Sequence, residues 1–296
     1  MTGLPGPPPL GTGMLPPGTY AGRVVAVTGG GTGLGKAIAV EFARLGAAVA
    51  VLSRKAENRQ AGIAAIEAVG AKAAGFDVDV RDPDAIATAF DAIEAALGPV
   101  DVLVNNAAGN FPQPAENISP RGWRAVTDIV LDGTFFASTE FARRAQSSAR
   151  PGAVLNIAAT YAWTGGPGTA HSAAAKAGVV NLTQSLAVEW APDGIRVNGL
   201  APGLFPHDDL PAAMIADTPE GLASLARTVP GGRVGLPHEL GWAATYLCSP
   251  YAAYLTGHTM VLDGANWLRR GLRMADFTPV RDQFPPPPDP SSRSGA

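Results

Sequence analysis

The chain is poor in cysteine, histidine and charge, and each shortage excludes something. One cysteine in 296 residues, Cys248, rules out an internal disulfide and a thiolate metal cage, and four histidines supply no ligand cluster, so no metal is expected. Charged residues make up 16% and the net charge is −3, with no basic cluster of the kind that coats nucleic acid. No uninterrupted apolar run reaches the roughly 18 residues of a membrane span. The opening residues lack the basic start and apolar run of a secretion signal, and the arginines of a mitochondrial presequence. The closing Ser-Gly-Ala is no peroxisomal address. These absences lead to the expectation of a soluble, cytoplasmic protein with no nucleic-acid or membrane partner.

What is present is apolar mass, glycine and proline. Apolar residues reach 46%, enough for a large core and too much for a disordered chain. Eleven of the 27 prolines fall within residues 1–20 and 281–296. Proline density favours extended, unpacked backbone, so the expected organisation is a proline-rich tail at 1–20, one domain at 21–273 and a second proline-rich tail at 274–296. Inside that domain short β-rich runs alternate with longer alanine-rich helical stretches. Val24–Thr28, Ala48–Leu52, Ala74–Phe76, Val100–Asn105, Ala153–Ala158, Ile195–Leu200 and Thr259–Leu262 read as strands, most of them near-continuous apolar runs suited to a parallel sheet covered on both faces. Leu34–Leu45, Arg59–Val69, Pro83–Leu97, Trp123–Gln146, Ser172–Trp190 and a segment near Pro237–Leu247 read as helices. The alternation predicts an α/β fold, a single-domain, Rossmann-like, doubly wound sheet of seven parallel strands with helices on both faces.

The first strand runs directly into Thr28-Gly29-Gly30-Gly31-Thr32-Gly33-Leu34-Gly35 and then a helix. In that setting backbone amides can approach a pyrophosphate, and the helix N-terminus adds partial positive charge. This points to dinucleotide binding through Gly29, Gly31, Thr32, Gly33, Leu34 and Gly35. The second strand then chooses the dinucleotide. A carboxylate near its end would hold a ribose 2′-hydroxyl, but this strand ends Leu52-Ser53-Arg54-Lys55. A hydroxyl followed by two cations suits a 2′-phosphate, so NADPH is the expected cofactor, with Ser53, Arg54 and Lys55 around that phosphate. Asp79, beside Val80 after the third strand, is placed to accept from an adenine amine.

Two further motifs extend the pattern. Asn105-Asn106-Ala107-Ala108-Gly109 follows the fourth strand and Ala201-Pro202-Gly203 follows the sixth. Together with Thr28–Gly35, in that order, they resemble the short-chain dehydrogenase/reductase family across residues 21–265. The resemblance implies that Asn106, Ala107, Ala108, Gly109, Pro202, Gly203 and Lys176 also meet the cofactor. The family's usual catalytic set is a serine at the end of the fifth strand and Tyr-x-x-x-Lys on the next helix. This chain departs from it: the tyrosine position holds Ser172, four residues before Lys176, the serine position falls on Ala158-Ala159, and the usual asparagine position falls on Val130. A serine hydroxyl is too weak an acid to replace a phenol as proton donor.

A phenol lies nearby at Tyr161. Asn156-Ile-Ala-Ala-Thr-Tyr161 followed by Ser172-Ala-Ala-Ala-Lys176 resembles the mitochondrial-type 2,4-dienoyl-CoA reductase branch, in which a tyrosine precedes the lysine by fifteen residues and serine fills the usual tyrosine slot. Met14-Leu15-Pro16-Pro17, Asn106-Ala-Ala-Gly-Asn110-Phe111 and Thr127-Asp-Ile-Val-Leu-Asp132-Gly133-Thr134 agree with that branch, except that it has asparagine where this chain has Asp132. The resemblance implies an enzyme that reduces an unsaturated acyl-CoA thioester, with Tyr161 donating to the thioester oxygen as charge collects there. Lys176 holds the nicotinamide ribose, Ser172 bonds nearby, and Asp132 serves as a second donor if burial keeps it protonated. His171 is a further candidate for the pocket. Leu204–Gly232 is expected to close over substrate, with Arg269, Arg270 and Arg273 as candidate partners for CoA phosphates. A trans-2-enoyl-CoA reductase or other short-chain oxidoreductase, and a catalytically silent NADPH-binding protein, stay open as alternatives. Tetramers are usual in the family, so a homotetramer is expected.

Overall fold

Strand β1 (Val24–Thr28) explains why the sheet lies in the middle of the molecule. Successive side chains point to opposite faces, and all five are buried. Val25 and Val27 pack with Ile38, Phe42 and Leu240 on one side, while Val24 and Ala26 pack with Ile86, Phe90 and Phe141 on the other. A strand without a polar face must be covered twice, so helices lie on both faces. Around it stand β2 (Ala48–Leu52), β3 (Ala73–Phe76), β4 (Val100–Asn105), β5 (Gly152–Ile157), β6 (Ile195–Pro202) and β7 (Thr259–Leu262), all parallel, in the order β3-β2-β1-β4-β5-β6-β7. This is the expected seven-stranded doubly wound Rossmann-like sheet. The computed structural model describes residues 4–207, 219–269 and 279–283. No helix among them is long and apolar enough to cross a membrane.

The order reverses between β1 and β4, and Thr28 lies level with Leu52 on one side and Asn105 on the other. The connections leave in opposite directions there and open a crevice at the strand ends, where ligands bind in such sheets. Helices α1 (Gly33–Arg44), α2 (Ala56–Glu67) and α3 (Pro83–Leu97) follow the first three strands. Asp82 starts α3 by accepting from the amides of Asp84 and Ala85, and Pro83 occupies the first turn, where a missing N–H costs nothing.

The helix expected over Trp123–Gln146 is divided. Helix α4 (Pro120–Thr127) gives way to a π-helical turn at Asp128–Asp132 before α5 (Gly133–Ser147) begins. A Cβ at Gly133 would stand 2.7 Å from Val80 Cγ2, so the start of α5 packs on the segment after β3 only by close approach at this residue. The wider turn takes up the change of path. After β5 comes a short helix, α6 (Tyr161–Thr164), then α7 (Ala170–Trp190), α8 (Pro219–Thr228) and α9 (Pro237–Cys248).

The boundary expected at residue 21 lies too late. Tyr20 is buried in the core, edge-on to Phe42 at 4.9 Å, and its hydroxyl donates to the Thr245 carbonyl at 2.5 Å. Upstream the described residues form no helix or strand; the chain turns at residues 9–12 and 16–19 and lies along the body. The Leu4 amide donates to the Gly231 carbonyl at 2.7 Å, and Arg233 donates to the Pro5 carbonyl at 3.0 Å. Most of the C-terminal tail falls outside the described residues. Replacing Tyr20 by Phe leaves a buried carbonyl unpaired and is expected to cost about 1–3 kcal/mol, whereas Ala adds a cavity and should cost about 3–5 kcal/mol. Urea unfolding of both variants measures this, and equal stability of wild type and Tyr20→Ala would place the residue outside the core.

Candidate active site

The crevice between β1 and β4 is a cavity of about 500 Å³ lined from the ends of β1, β2, β4, β5 and β6. Its floor is the glycine loop. A Cβ at Gly35 would lie 2.3 Å from both Asn106 Nδ2 and the Gly29 carbonyl, so any larger residue would push the loop off its support. Gly33, which opens α1, has φ +50°, and a Cβ there would meet His207 at 2.7 Å. Thr32 precedes α1 without a side-chain cap. The loop therefore presents backbone to the cavity at a helix N-terminus, and this arrangement fits a dinucleotide's pyrophosphate. Gly29, Thr32, Gly33, Leu34 and Gly35 line the cavity. Gly31 does not. It packs against α2, where a Cβ would fall 2.1 Å from the Asn58 carbonyl, so its role is to let helix and loop touch.

At the far end Ser53, Arg54 and Lys55 line the cavity together with Asn58, Asp79 and Val80. The turn carrying them is held by Arg59, whose Nη1 donates to the carbonyls of Ser53 at 2.6 Å and Arg54 at 2.9 Å. Asp79 is more occupied than the sequence suggests. Both its oxygens accept from Arg81, at distances down to 2.5 Å, and Arg54 lies 3.6 Å away. The Arg81 hydrogen bonds hold its carboxyl down at about 2. An adenine amine would therefore share a carboxylate already bound to Arg81, so Asp79 first of all anchors that guanidinium. Arg59 on α2 and Arg81 in the turn after β3 were not legible as site residues, since neither belongs to a spaced motif.

At the nicotinamide end Asn106, Ala107, Ala108, Ile157, Ala158, Ala159, Tyr161, Lys176, Pro202 and Gly203 line the cavity. Gly109 does not; it sits beside Ile129, which does. The fifteen-residue spacing between Tyr161 and Lys176 is closed by the fold. Tyr161 opens α6, its hydroxyl lies 3.0 Å from Ser172 Oγ on α7, and Lys176 follows one turn along the same helix. Ser172 is buried behind Tyr161 and touches the cavity through it. Lys176 Nζ donates to the Ile157 carbonyl at the end of β5, and burial pulls its ammonium down to about 8.

Two expectations fail here. Asp132 does not line the cavity, although Ile129 from the same π turn does. A turn closed by i→i+5 bonds needs more than four residues to come round, so a residue three positions after Ile129 leaves its face. His171 is fully buried away from the cavity, with Phe111 edge-on at 4.5 Å. Its Nδ1 accepts from the Ser172 amide at 2.8 Å. Arg269 bonds the Thr228 carbonyl at 2.9 Å, while Arg270, Arg273 and residues 208–218 of the expected lid lie outside the described residues. Among the described residues no cluster of His, Cys, Asp and Glu could hold a metal.

Known proteins resemble this chain over most of its length. A family model described as enoyl-(acyl carrier protein) reductase matches residues 29–265. A Bacillus subtilis (strain 168) protein named "Probable 2,4-dienoyl-CoA reductase", (2E)-enoyl-CoA-producing, is 42% identical over 247 residues, covering 83% of this chain and 97% of its own length. The crystal structure of a short chain dehydrogenase from Bacillus anthracis superposes with a TM-score of 0.77 at 40% identity, covering 84% of this chain and 98% of that one. A "putative 2-deoxy-d-gluconate 3-dehydrogenase" from Agrobacterium tumefaciens, solved with bound NADP, reaches 0.76 at 34% identity over 85% of this chain and 99% of that one.

The buried ammonium has a consequence for stability. An unfolded lysine keeps its proton up to 10.5, whereas Lys176 releases it near 8, so between those values the unfolded state binds more protons. Below that window the burial penalty is constant; across it, the penalty is relieved as pH rises. Wild type is expected to gain on the order of 2 kcal/mol relative to Lys176→Met between about pH 8 and pH 10. Urea unfolding at both pH values checks this, and parallel stability curves would refute it.

Proposed function

The chain belongs to the short-chain dehydrogenase/reductase family of oxidoreductases, which bind a nicotinamide cofactor, and on that premise we propose that it reduces an unsaturated fatty acyl-CoA thioester with NADPH, converting a 2,4-dienoyl ester to the 3-enoyl ester. The observation that carries this reading is the Tyr161–Ser172 hydrogen bond of 3.0 Å, beside Lys176 in one cavity, with no tyrosine in the family's usual slot. Reducing a ketone requires a proton on its oxygen. Reducing a conjugated thioester at its far end requires only that the charge gathering on the thioester oxygen be met by a donor, because the proton is later taken on carbon. A phenol outside the usual slot suits the second task.

Bound NADPH supplies the hydride. The rest falls to the chain's own residues. Tyr161 donates to the thioester oxygen, and Ser172, hydrogen-bonded to the phenol, keeps its ring turned to the cavity. Lys176, buried and fixed to the Ile157 carbonyl, would hold the nicotinamide ribose hydroxyls and lend positive charge. The glycine loop would hold the pyrophosphate, and Ser53, Arg54 and Lys55 the 2′-phosphate. Asp132 receives no role, because it does not line the cavity. The proposed assembly is a homotetramer, to which exposed Trp123, Phe135 and Val188 offer apolar surface.

A thioester panel tests the reaction. Wild type with NADPH is expected to consume a hexadienoyl-CoA ester faster than a crotonyl-CoA ester, and Tyr161→Phe to lose roughly 10²–10³-fold in kcat while still binding cofactor. Faster turnover of the crotonyl ester would shift the reading to a 2-enoyl reductase. Cofactor binding without turnover of any ester, unchanged by Tyr161→Phe, would leave a silent binding protein. Product analysis separates the 3-enoyl from the 2-enoyl ester, the isomer in the B. subtilis relative's name. Arg54→Ala is expected to lower the preference for NADPH over NADH by about tenfold or more, since a charged hydrogen bond to phosphate is worth about 1.5–3 kcal/mol; equal preference in both proteins would sink the 2′-phosphate assignment.

A further inference from the structure

The loop leaving β6 returns to the cofactor cavity at His207, which no sequence motif singles out. An ideal Cβ on Gly33 would stand 2.7 Å from its Cε1, 3.1 Å from Nε2 and 3.2 Å from Nδ1. Those three atoms form one edge of the imidazole, so the edge bearing both nitrogens faces the residue that opens α1. The same ring lines the cavity with Thr32, Gly33 and Gly203, and it is the one histidine among the described residues that does so. The imidazole thus packs edge-first on the backbone at the α1 N-terminus, where the glycine loop and the β6 exit meet in the cavity wall. An anion drawn to that N-terminus meets the ring beside it.

We infer that His207 is a ligand of the cofactor's pyrophosphate, closing the cradle from the β6 side and strengthening its hold when the imidazole is protonated. The inference rests on the dinucleotide half of the reading above and is independent of the thioester. The electrostatic setting favours it. The glycine loop brings no charged side chain, and α1 brings Lys36 in its first turn. The end of β2 brings Arg54 and Lys55, the exit of β3 brings Asp79, α6 brings Tyr161 and α7 brings Lys176. Asp208 and Asp209 follow His207 in sequence. A pyrophosphate diester carries two charges and no proton that titrates near neutrality, whereas a histidine does titrate there. Charge on His207 therefore adds attraction at low pH that is lost as pH rises.

The test uses NADH, whose charge is constant in this range, with NADPH alongside. Affinities are measured by fluorescence titration at about pH 6 and about pH 7.5, below and above the ordinary histidine value, on wild type and His207→Gln. Wild type is expected to bind NADH about fivefold more tightly at the lower pH, as a charge-assisted hydrogen bond to an anion implies. His207→Gln should lose most of that ratio, through weaker binding at the lower pH. NADPH should show a smaller ratio in wild type, because its 2′-phosphate, with pKa about 6, loses charge as the pH falls. Circular dichroism establishes that the variant folds, and His207→Asn serves if it does not. The same pH ratio in wild type and variant, or no pH dependence in wild type, overturns the role of His207 and leaves dinucleotide binding intact. Failure of wild type to bind either dinucleotide overturns both.

Discussion

Thr28 and Asn106 tie together two strands that the chain would otherwise let diverge. The Thr28 hydroxyl accepts from the amides of Asn106 and Ala107, each at 3.0 Å. The Asn106 side chain in return donates to the carbonyls of Thr28 at 3.1 Å and Gly29 at 3.3 Å. These backbone groups lie where the β1–β4 ladder has ended, so they would face the crevice unpaired without the clamp. Because Asn106 also occupies the space beside Gly35, it fixes the glycine loop relative to β4. The floor and one wall of the cavity are therefore a single hydrogen-bonded unit. Beneath it, Asn105 donates to Ser138 and Asn156, and Asn156 donates to Thr183, so a buried polar chain links α5, β4, β5 and α7. The network leaves Asn105 Oδ1 without a partner among the described residues, yet its three side-chain bonds tie these elements together, and it lies under the helix that carries Ser172 and Lys176.

That scaffold matters because the phenol that lines the cavity is not on the same helix as the lysine. In Tyr-x-x-x-Lys, helical spacing alone brings phenol and ammonium together. Here Tyr161 arrives on α6, and its position depends on the tertiary contact with Ser172. The hydrogen-bond partner of the phenol is a neutral hydroxyl, while Lys176 is committed to the Ile157 carbonyl. The two halves of the family's usual proton relay are thereby uncoupled. An arrangement of this kind is well made for presenting an O–H to a charge and poorly made for passing a proton through to a carbonyl oxygen.

The fold was legible because a parallel sheet leaves an unambiguous trace: near-continuous apolar strands, alternating with helices, and one glycine turn after the first. Seven strands, their order of appearance and the site's place at their carboxyl ends follow from that trace. Most residues of the spaced motifs from Gly29 to Gly203 also line one cavity. What escaped depends on geometry that spacing does not encode. Tyr20 belongs to the core because a long-range bond to Thr245 captures it, against the proline content of its surroundings. Asp132 left the cavity because a π turn shifts the helical phase, and no composition signal marks that turn. His207 reaches the cavity from a loop, and Arg59 on α2 and Arg81 after β3 act on it through the residues they hold, where side-chain direction is set by packing.

The charges in the cleft make sense together. Among the described residues lining it, Arg54, Lys55 and Lys176 are cationic and Asp79 alone is acidic, in a chain whose net charge is −3. Asp79 is committed to Arg81, which places a second guanidinium beside the adenine end without leaving a carboxylate to repel phosphate. A positive cleft on a negative molecule draws a polyanionic cofactor inward and discourages its approach elsewhere. The positive charge is also divided in space: exposed arginine and lysine at the 2′ end, which water screens, and a buried ammonium at the nicotinamide end, which water does not. The screened charge suits loose capture at the outer end and the buried charge suits placement at the inner one, where Lys176 lines the cavity with the Tyr161 phenol.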